Sequence, residues 1–254
     1  MTHTPDIHPQ ELIIRSGDKA IFGLLYRPEG DGPHPAIIFS HGYNGCHTDF
    51  TTEGLYFAQH GYLVYTFDFC GGSTRSRSSG VSTDMSVMTQ RDDLLAVFDQ
   101  IAAMPEVDAS RVFLLGGSQG GLVTAMATEI LQHQVRGMIL YFPALNIPDM
   151  WCRDFEGVTD GPPTFEFWGL PLGYRFVGDI IGYSPFKQLG SYQGRVLVVH
   201  GDQDPIVPLS VSQWIESTYA QAELVVLPGE NHGFSAPALA QVMERTLQFL
   251  QAHA

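Results

Sequence analysis

Three residues whose types can combine in nucleophilic catalysis each follow an apolar run in this sequence. Ser118 lies in GGSQGG, between an apolar run typical of a strand and one typical of a helix. Asp204 lies in HGDQDPIVP and His232 in GENHGF, each after another apolar run. A serine hydroxyl becomes a useful nucleophile when a histidine takes its proton and a carboxylate orients that histidine. The sequence therefore predicts an acyl-transfer site made of Ser118, His232 and Asp204.

The glycines around Ser118 favour a chemical role for it over an incidental place in a turn. A G-x-S-x-G pattern between strand and helix is typical of a nucleophile elbow, in which the serine sits on a strained turn. Flanking glycines are needed there because neighbouring backbone passes too close for a Cβ. The helix that follows would favour negative charge developing beside Ser118. A glycine-rich turn with a capping serine is the alternative, and the chain order Ser, Asp, His argues against it.

Other carboxylates compete for the orienting role. Asp202 precedes Asp204 by two residues, and Glu230 precedes the catalytic histidine candidate by two. We prefer Asp204, because Pro205 and Pro208 after it indicate a rigid turn that can hold a carboxylate in place.

An acyl-transfer site also needs donors for the negative oxygen that forms during reaction. We expect these to be the backbone amides of Gln119, which follows the serine, and of Tyr43, in the HGYNG loop. The amide of Tyr43 is expected to matter more than its ring. His41 and His200 end apolar strands and precede glycine, so we interpret both as hydrogen-bonded structural histidines.

Strands and helices alternate along the chain, and this alternation must position the site. An opening hairpin is predicted, followed by strands and helices in turn, with strands near residues 11–15, 20–27, 36–40, 62–69, 111–116, 137–142, 195–201 and 223–228 and helices near 49–60, 85–104, 119–132, 209–219 and from 236. This pattern predicts an α/β fold with a mostly parallel central sheet and helices on both faces. At 254 residues, a single domain spanning 1–254 is expected, with an insertion at about 147–187 that shows no clean period.

Composition excludes several classes of partner. The formal net charge of −14 argues against binding to nucleic acid or to an anionic membrane. No signal peptide or membrane-spanning stretch is recognised, so a cytoplasmic location is expected. Cys46, Cys70 and Cys152 have no metal-binding or disulfide spacing. No metal or organic cofactor is implied, the expected partner is a small-molecule ester, and the oligomeric state is left open, a homodimer included.

The motifs HGYNG, GGSQGG, HGDQDPIVP and GENHGF, in this order, resemble the α/β-hydrolase superfamily over essentially the whole chain. The oxyanion loop, the SQGG elbow and the insertion resemble the bacterial cinnamoyl and feruloyl esterases. By this resemblance Ser118 is the nucleophile, His232 the general base and Asp204 its orienter. Cys70 stands where many relatives have arginine, which alters a structural contact and no catalytic role.

The insertion is rich in aromatic residues, with nine in residues 148–187. We expect a cap in which Trp151, Phe165 and Trp168 line an acyl pocket, since small-molecule sites usually have apolar walls and a few polar anchors. The alternative is that these rings form the core of the insertion itself. By resemblance to the cinnamoyl esterases, Asp149 is the expected anchor for a ring hydroxyl, although it could equally cap a turn.

The expected function is hydrolysis of small aromatic esters, of hydroxycinnamoyl type, through an acyl-serine intermediate. A peptidase ranks lower, because no part of the insertion offers an acidic pair for a peptide amine. Thioester hydrolysis stays open. A non-catalytic binding module is disfavoured because every triad position is filled.

Overall fold

A hairpin and a run of parallel strands form the sheet that the sequence predicts. In the computed structural model, which describes residues 5–154 and 164–253, the strands are β1 (Gln10–Ser16), β2 (Lys19–Tyr26), β3 (His34–Ser40), β4 (Leu63–Phe67), β5 (Val107–Gly117), β6 (Gly137–Tyr141), β7 (Thr164–Phe167), β8 (Leu170–Gly173), β9 (Arg195–Gly201) and β10 (Ala222–Leu227). The main sheet has the order β1-β2-β4-β3-β5-β6-β9-β10. β1 and β2 run antiparallel to their neighbours, and every pairing from β4 to β10 is parallel.

Helices cover both faces of this sheet. They are α1 (Thr51–Gln59), α2 (Val87–Ala102), α3 (Gln119–Leu131), α4 (Ile147–Asp154), α5 (Arg175–Gly178), α6 (Pro185–Gln188), α7 (Leu209–Thr218) and α8 (Ala236–His253). Successive side chains of a strand point to opposite faces. In β3, Ile38 therefore joins the apolar cluster that includes residues of α2 and α3, whereas Ile37 and Phe39 join the cluster that includes residues of α1 and α8. This double burial explains the continuous apolar strands and confirms the predicted fold class.

The segment between β6 and β9 holds short regular elements that its sequence does not reveal. They are α4, the antiparallel β7-β8 hairpin, α5 and α6. Strands and helices of four residues are too short to show a period, and the prolines of the segment mask α4. The hairpin is tied to the rest of the chain by the Ser82 hydroxyl, which donates to the carbonyl of Pro171 at 2.5 Å. Phe155, an aromatic residue of this insertion, lies outside the described residues.

None of the described helices combines the length and the apolarity that crossing a lipid bilayer requires.

Candidate active site

The three residues predicted to form the acyl-transfer site meet above the carboxyl ends of the parallel strands. Ser118 lies between β5 and α3, Asp204 follows β9, and His232 follows β10. The Ser118 hydroxyl is 2.9 Å from Nε2 of His232, and Nδ1 of His232 is 2.8 Å from Oδ2 of Asp204. An imidazole held in this way can take the proton of the hydroxyl and return it to a leaving group.

The turn at Ser118 depends on the surrounding glycines. Ser118 has φ 54° and ψ −122°, a strained conformation for a residue with a side chain. A Cβ at Gly120 would lie 2.1 Å from the carbonyl oxygen of Ser40, and one at Gly116 would lie 2.3 Å from the carbonyl oxygen of Gly120. Both distances are far below van der Waals contact. The helix can start directly behind Ser118 only because these positions lack side chains.

Asp204 accepts four hydrogen bonds, which fix both of its oxygens. Oδ1 accepts from the amides of Ile206 and Val207 at 2.8 and 2.9 Å. Oδ2 accepts from His232 and, at 3.1 Å, from Nε2 of His200. Burial alone would raise the pKa of the carboxyl, but the bonds from Val207, His232 and Ile206 hold that pKa below its ordinary value. The site therefore contains a fixed carboxylate anion beside the imidazole.

His200 supports this carboxylate from a buried position. Its Nε2 faces two acceptors, Oδ2 of Asp204 and the carbonyl of Val207 at 3.0 Å, so Nε2 carries the proton. Nδ1 then accepts from the Ser212 hydroxyl at 2.6 Å. Burial lowers the pKa of His200, and this effect is larger than the opposite effect of the neighbouring Asp204. The ring therefore stays neutral. The sequence predicts a hydrogen-bonded histidine here, but not its contact with Asp204; the four-residue spacing was the only signal.

The competing carboxylates bond elsewhere. Asp202 is exposed and accepts from the amide of Gly229 at 2.7 Å. Glu230 accepts from the amide and the hydroxyl of Ser235, both at 2.7 Å. Asp204 is therefore the carboxylate that reaches His232.

The two expected oxyanion donors flank Ser118. Tyr43 and Gln119 both line the cavity that contains Ser118. Within the described part of the chain, neither backbone amide donates to a protein acceptor, so both are available to a substrate oxygen. The Tyr43 loop is held by His41, whose Nδ1 donates to the carbonyl of Gly42 at 2.7 Å while its Nε2 accepts from the amide of Phe69. Burial lowers the pKa of His41 and favours this neutral form.

The ring of Tyr43 has a contact that the sequence does not reveal. Its hydroxyl donates to the carbonyl of Phe167 at 2.6 Å, and its ring packs edge-on against those of Phe167 and Trp168. Tyr43 thus links the oxyanion loop to the β7-β8 hairpin of the insertion.

A narrow cavity of about 40 Å³, here named the insert cavity, leads from Ser118 under the insertion. It is lined mainly by apolar side chains, namely Tyr43, Ala144, Ile147, Met150, Trp151, Phe167, Trp168, Phe176, Ile206 and Val207, together with Asn146, Ser118 and Gln119. Of the predicted pocket residues, Trp151 and Trp168 lie at the cavity. Phe165 packs on Trp151 with ring centroids 5.5 Å apart and is not among the lining residues. Both interpretations of the aromatic residues therefore apply: Trp168 and Trp151 line the cavity, and Trp151 also packs with Phe165 inside the insertion.

The structure does not bring Asp149 to this cavity, which corrects the expectation that it anchors the substrate. Ile147, Met150 and Trp151 share one face of α4 and line the cavity together with Asn146, the residue that precedes the helix, whereas Asp149 is exposed. Asn146 has a buried amide oxygen without a hydrogen-bond partner among the described residues. Such an oxygen is costly unless something donates to it.

A second and wider cavity of about 290 Å³ reaches Ser118 and is named here the Glu53 cavity. Its lining residues come from widely separated segments and are Gly42, Asp49, Phe50, Glu53, Gly117, Ser118, Tyr141, Phe142, Phe234 and Leu239. The ring of Phe142 packs on that of His232 with centroids 4.8 Å apart. Nothing in the sequence motifs points to this cavity.

One group of described residues has the side-chain types of a metal site. Atoms of Cys46, His47 and Asp68 lie within 4.8 Å of one another. However, Oδ1 of Asp68 accepts from the amide and Nδ1 of His47, at 2.6 and 2.8 Å, and Oδ2 accepts from the amide of Arg77 at 2.7 Å. These bonds account for the carboxylate and the imidazole nitrogen, so we interpret the group as structural.

The sheet, the elbow and the serine site define a serine hydrolase of the α/β-hydrolase class. The chain belongs to the prolyl oligopeptidase family, whose model matches residues 48–254.

Relatives and solved structures are consistent with this class. The human acylamino-acid-releasing enzyme is 22% identical to this chain. The match covers 91% of this chain and 34% of that enzyme. Human serine hydrolase BPHL is 23% identical over 97% of this chain and 93% of its own length. Est1E from Butyrivibrio proteoclasticus, solved with ferulic acid bound, superposes with a TM-score of 0.85 at 23% identity, covering 95% of this chain and 98% of Est1E. The chain thus spans about a third of the acylamino-acid-releasing enzymes it matches.

Proposed function

We propose that this protein hydrolyses small carboxylic esters with an aromatic acyl group, of hydroxycinnamoyl type, through an acyl-serine intermediate. The observation that carries the proposal is the hydrogen-bonded chain from Ser118 through His232 to Asp204 at the mouth of an aromatic cavity. Ser118 attacks the carbonyl carbon while His232 takes its proton. The amides of Tyr43 and Gln119 stabilise the negative oxygen, and His232 then protonates the leaving alcohol. Water, activated by His232, releases the acid.

The lining of the insert cavity supports an aromatic acyl group. Trp151, Phe167 and Trp168 offer ring faces and edges, and offset or edge contacts between rings are favourable beyond the area they bury. The unpartnered oxygen of Asn146 suits the hydroxyl donor of a phenolic ring. The structural similarity to Est1E with ferulic acid bound points in the same direction. At about 40 Å³ the cavity must widen to admit such a group, and Trp168 at the hairpin tip, 60% exposed, is the lining residue with the largest share of its surface in solvent.

A substrate panel tests the proposal. Methyl ferulate, methyl cinnamate, p-nitrophenyl butyrate, a butyryl thioester and an N-acetyl-aminoacyl p-nitroanilide would be compared by kcat/KM. Methyl ferulate is expected to lead the methyl esters, with fluorophosphonate labelling of the wild type lost in Ser118→Ala. If the wild type is not labelled, a non-catalytic binding module replaces this proposal.

Two variants, one just before α4 and one within it, test the acyl anchor. Asn146→Leu removes the acceptor and should lower the ratio of methyl ferulate to methyl cinnamate turnover about tenfold, the usual value of one hydrogen bond in a buried site. Asp149→Ala is the matched control and should keep the ratio. A selective loss in Asp149→Ala, with none in Asn146→Leu, would return the anchor role to Asp149.

Peptide hydrolysis is the second candidate, because the family is that of prolyl oligopeptidase and the acylamino-acid-releasing enzymes are among the relatives. Turnover of the N-acetyl-aminoacyl p-nitroanilide above that of methyl ferulate would favour it.

A further inference from the structure

The Glu53 cavity contains a carboxyl group that lacks a balancing charge. Glu53 lies in the first turn of α1, is only 5% exposed and is one of the residues that line the cavity. Among the described residues, no lysine, arginine or histidine forms an ion pair with it, and no other side chain donates to it. Its own backbone amide is the protein group that stabilises the anion. Burial, with a smaller contribution from Asp49, raises the pKa of Glu53 to about 7.

Asp49, the other carboxylate of the cavity, has a cationic partner, Arg75. Its oxygens accept from Nη2 of Arg75 at 3.0 and 3.3 Å and from the amide of Cys46 at 3.0 Å. Arg75 and Asp49 therefore form an ion pair. Of the two carboxylates that line the cavity, Glu53 is the one without an ion-pair partner among the residues that the structure describes.

The remaining walls suit a cation. Phe50, Tyr141, Phe142 and Phe234 contribute aromatic side chains, and ring faces attract ammonium groups when water is excluded. A cation facing Glu53 would also stabilise its charged form and lower the raised pKa. The net charge of −14 gives the whole molecule a field that attracts cations and repels anions.

The position of the cavity fixes which part of a substrate would enter it. The leaving group departs from the side of the imidazole, because that ring protonates it. Phe142, a wall of the Glu53 cavity, packs on His232, whereas the insert cavity contains the oxyanion residues Tyr43 and Gln119. The two cavities share Ser118, so an ester would lie across it with one half in each.

We propose that the Glu53 cavity binds a compact ammonium group on the leaving alcohol of the substrate, an inference that rests on the proposed ester hydrolysis. The substrate class is then an ester of an amino alcohol. Glu53 accepts the hydrogen bond of the ammonium group, and the surrounding rings exclude water from the pair.

Two isosteric esters test this. At pH 7, 2-(dimethylamino)ethyl butyrate carries an N–H cation, and 3-methylbutyl butyrate has carbon in place of that nitrogen. Each kcat/KM is divided by the rate of hydroxide-catalysed hydrolysis of the same ester, which corrects for intrinsic reactivity. The ratio of the corrected value for the ammonium ester to that for the carbon ester should be about 10 to 100 in the wild type, the usual range for a charge-assisted hydrogen bond. Glu53→Gln should bring the ratio to within about threefold of one. Asp92→Asn removes an exposed carboxylate of α2 and should keep the wild-type ratio.

The outcomes separate this inference from the proposed function. A wild-type ratio near one, with both esters hydrolysed, overturns the ammonium site and leaves ester hydrolysis standing. Faster turnover of 2,3-dihydroxypropyl butyrate than of the ammonium ester also overturns it. If no ester is hydrolysed, calorimetric titration with 2-(dimethylamino)ethanol and 3-methyl-1-butanol decides. At least tenfold tighter binding of the amino alcohol, lost in Glu53→Gln, supports the site, and equal binding refutes it.

Discussion

Asp204→Asn tests the orientation of the site, because the structure predicts which way the new amide must point. The amides of Ile206 and Val207 donate to Oδ1, and backbone amides cannot become acceptors. The asparagine oxygen must therefore stay there, since turning it away would leave two buried donors unpaired at about 1 to 3 kcal/mol each. The asparagine NH₂ then faces His232 and His200. Both imidazoles can change tautomer, whereas the two backbone groups cannot.

The consequence for His232 is loss of its function as a base. To accept from the asparagine NH₂, Nδ1 must give up its proton, and Nε2 then carries a proton where it should receive that of Ser118. A wrong tautomer of this kind costs about 10³ to 10⁴ in kcat, or roughly 4 to 5.5 kcal/mol of transition-state stabilisation.

Steady-state kinetics with p-nitrophenyl butyrate and thermal unfolding by circular dichroism measure the two effects separately. Asp204→Asn should unfold near the wild-type temperature, and Asp202→Asn, the matched control, should lose less than about threefold in kcat. Asp204→Ala should unfold earlier, because four donors lose their acceptor. An Asp204→Asn enzyme within tenfold of wild-type kcat would refute the tautomer argument.

Three further changes have outcomes set by the structure. Gly120→Ala should lower the free energy of unfolding by about 3 kcal/mol, because its Cβ would meet the Ser40 carbonyl. The control is Gly178→Ala, whose Cβ would meet only the Tyr174 ring at 3.8 Å and which should be near neutral; urea unfolding measures both. Tyr43→Phe should lower the free energy of unfolding by about 1 kcal/mol through loss of the bond to Phe167, and an unchanged value would show that this link to the hairpin is unimportant. The pKa of Glu53 is 4.5 in the unfolded chain and about 7 in the folded protein, so the folded state holds this proton more tightly. The free energy of unfolding should therefore fall as the pH rises between those two values, by at most roughly 3 kcal/mol. Urea unfolding at pH 4.5, 6 and 8 should show this fall in wild type and a smaller one in Glu53→Gln; parallel curves would contradict it.

The triad could be found from the sequence because its parts follow strands. Ser118, Asp204 and His232 each come within five residues of the end of a strand, and the carboxyl ends of parallel strands meet at one edge of a sheet. Placing them together needs only strand order and local motifs. The glycine pattern adds the backbone geometry of the elbow.

The two cavities could not be found in this way. The lining of one depends on which face of α4 turns toward it, and the other is formed by segments that are far apart in the sequence. At the start of α4, three residues separate the exposed Asp149 from the cavity-lining Asn146 just before the helix, and the segment shows no period that would reveal a helix. The Glu53 cavity joins α1 to the ends of β5 and β6 and to residues 234 and 239. One signal was present: Glu53 shares a helix face with the buried Phe57, four residues on.

The meeting of two cavities at one serine has a kinetic consequence for an acyl-enzyme mechanism. The alcohol half departs before water arrives, so whatever the Glu53 cavity recognises can influence formation of the covalent intermediate but not its breakdown. Esters sharing one acid and differing in alcohol should therefore converge on a common maximal rate once deacylation limits turnover. The vacated space beside His232 is also where a second alcohol would compete with water, and the ratio of transfer to hydrolysis would report its occupancy.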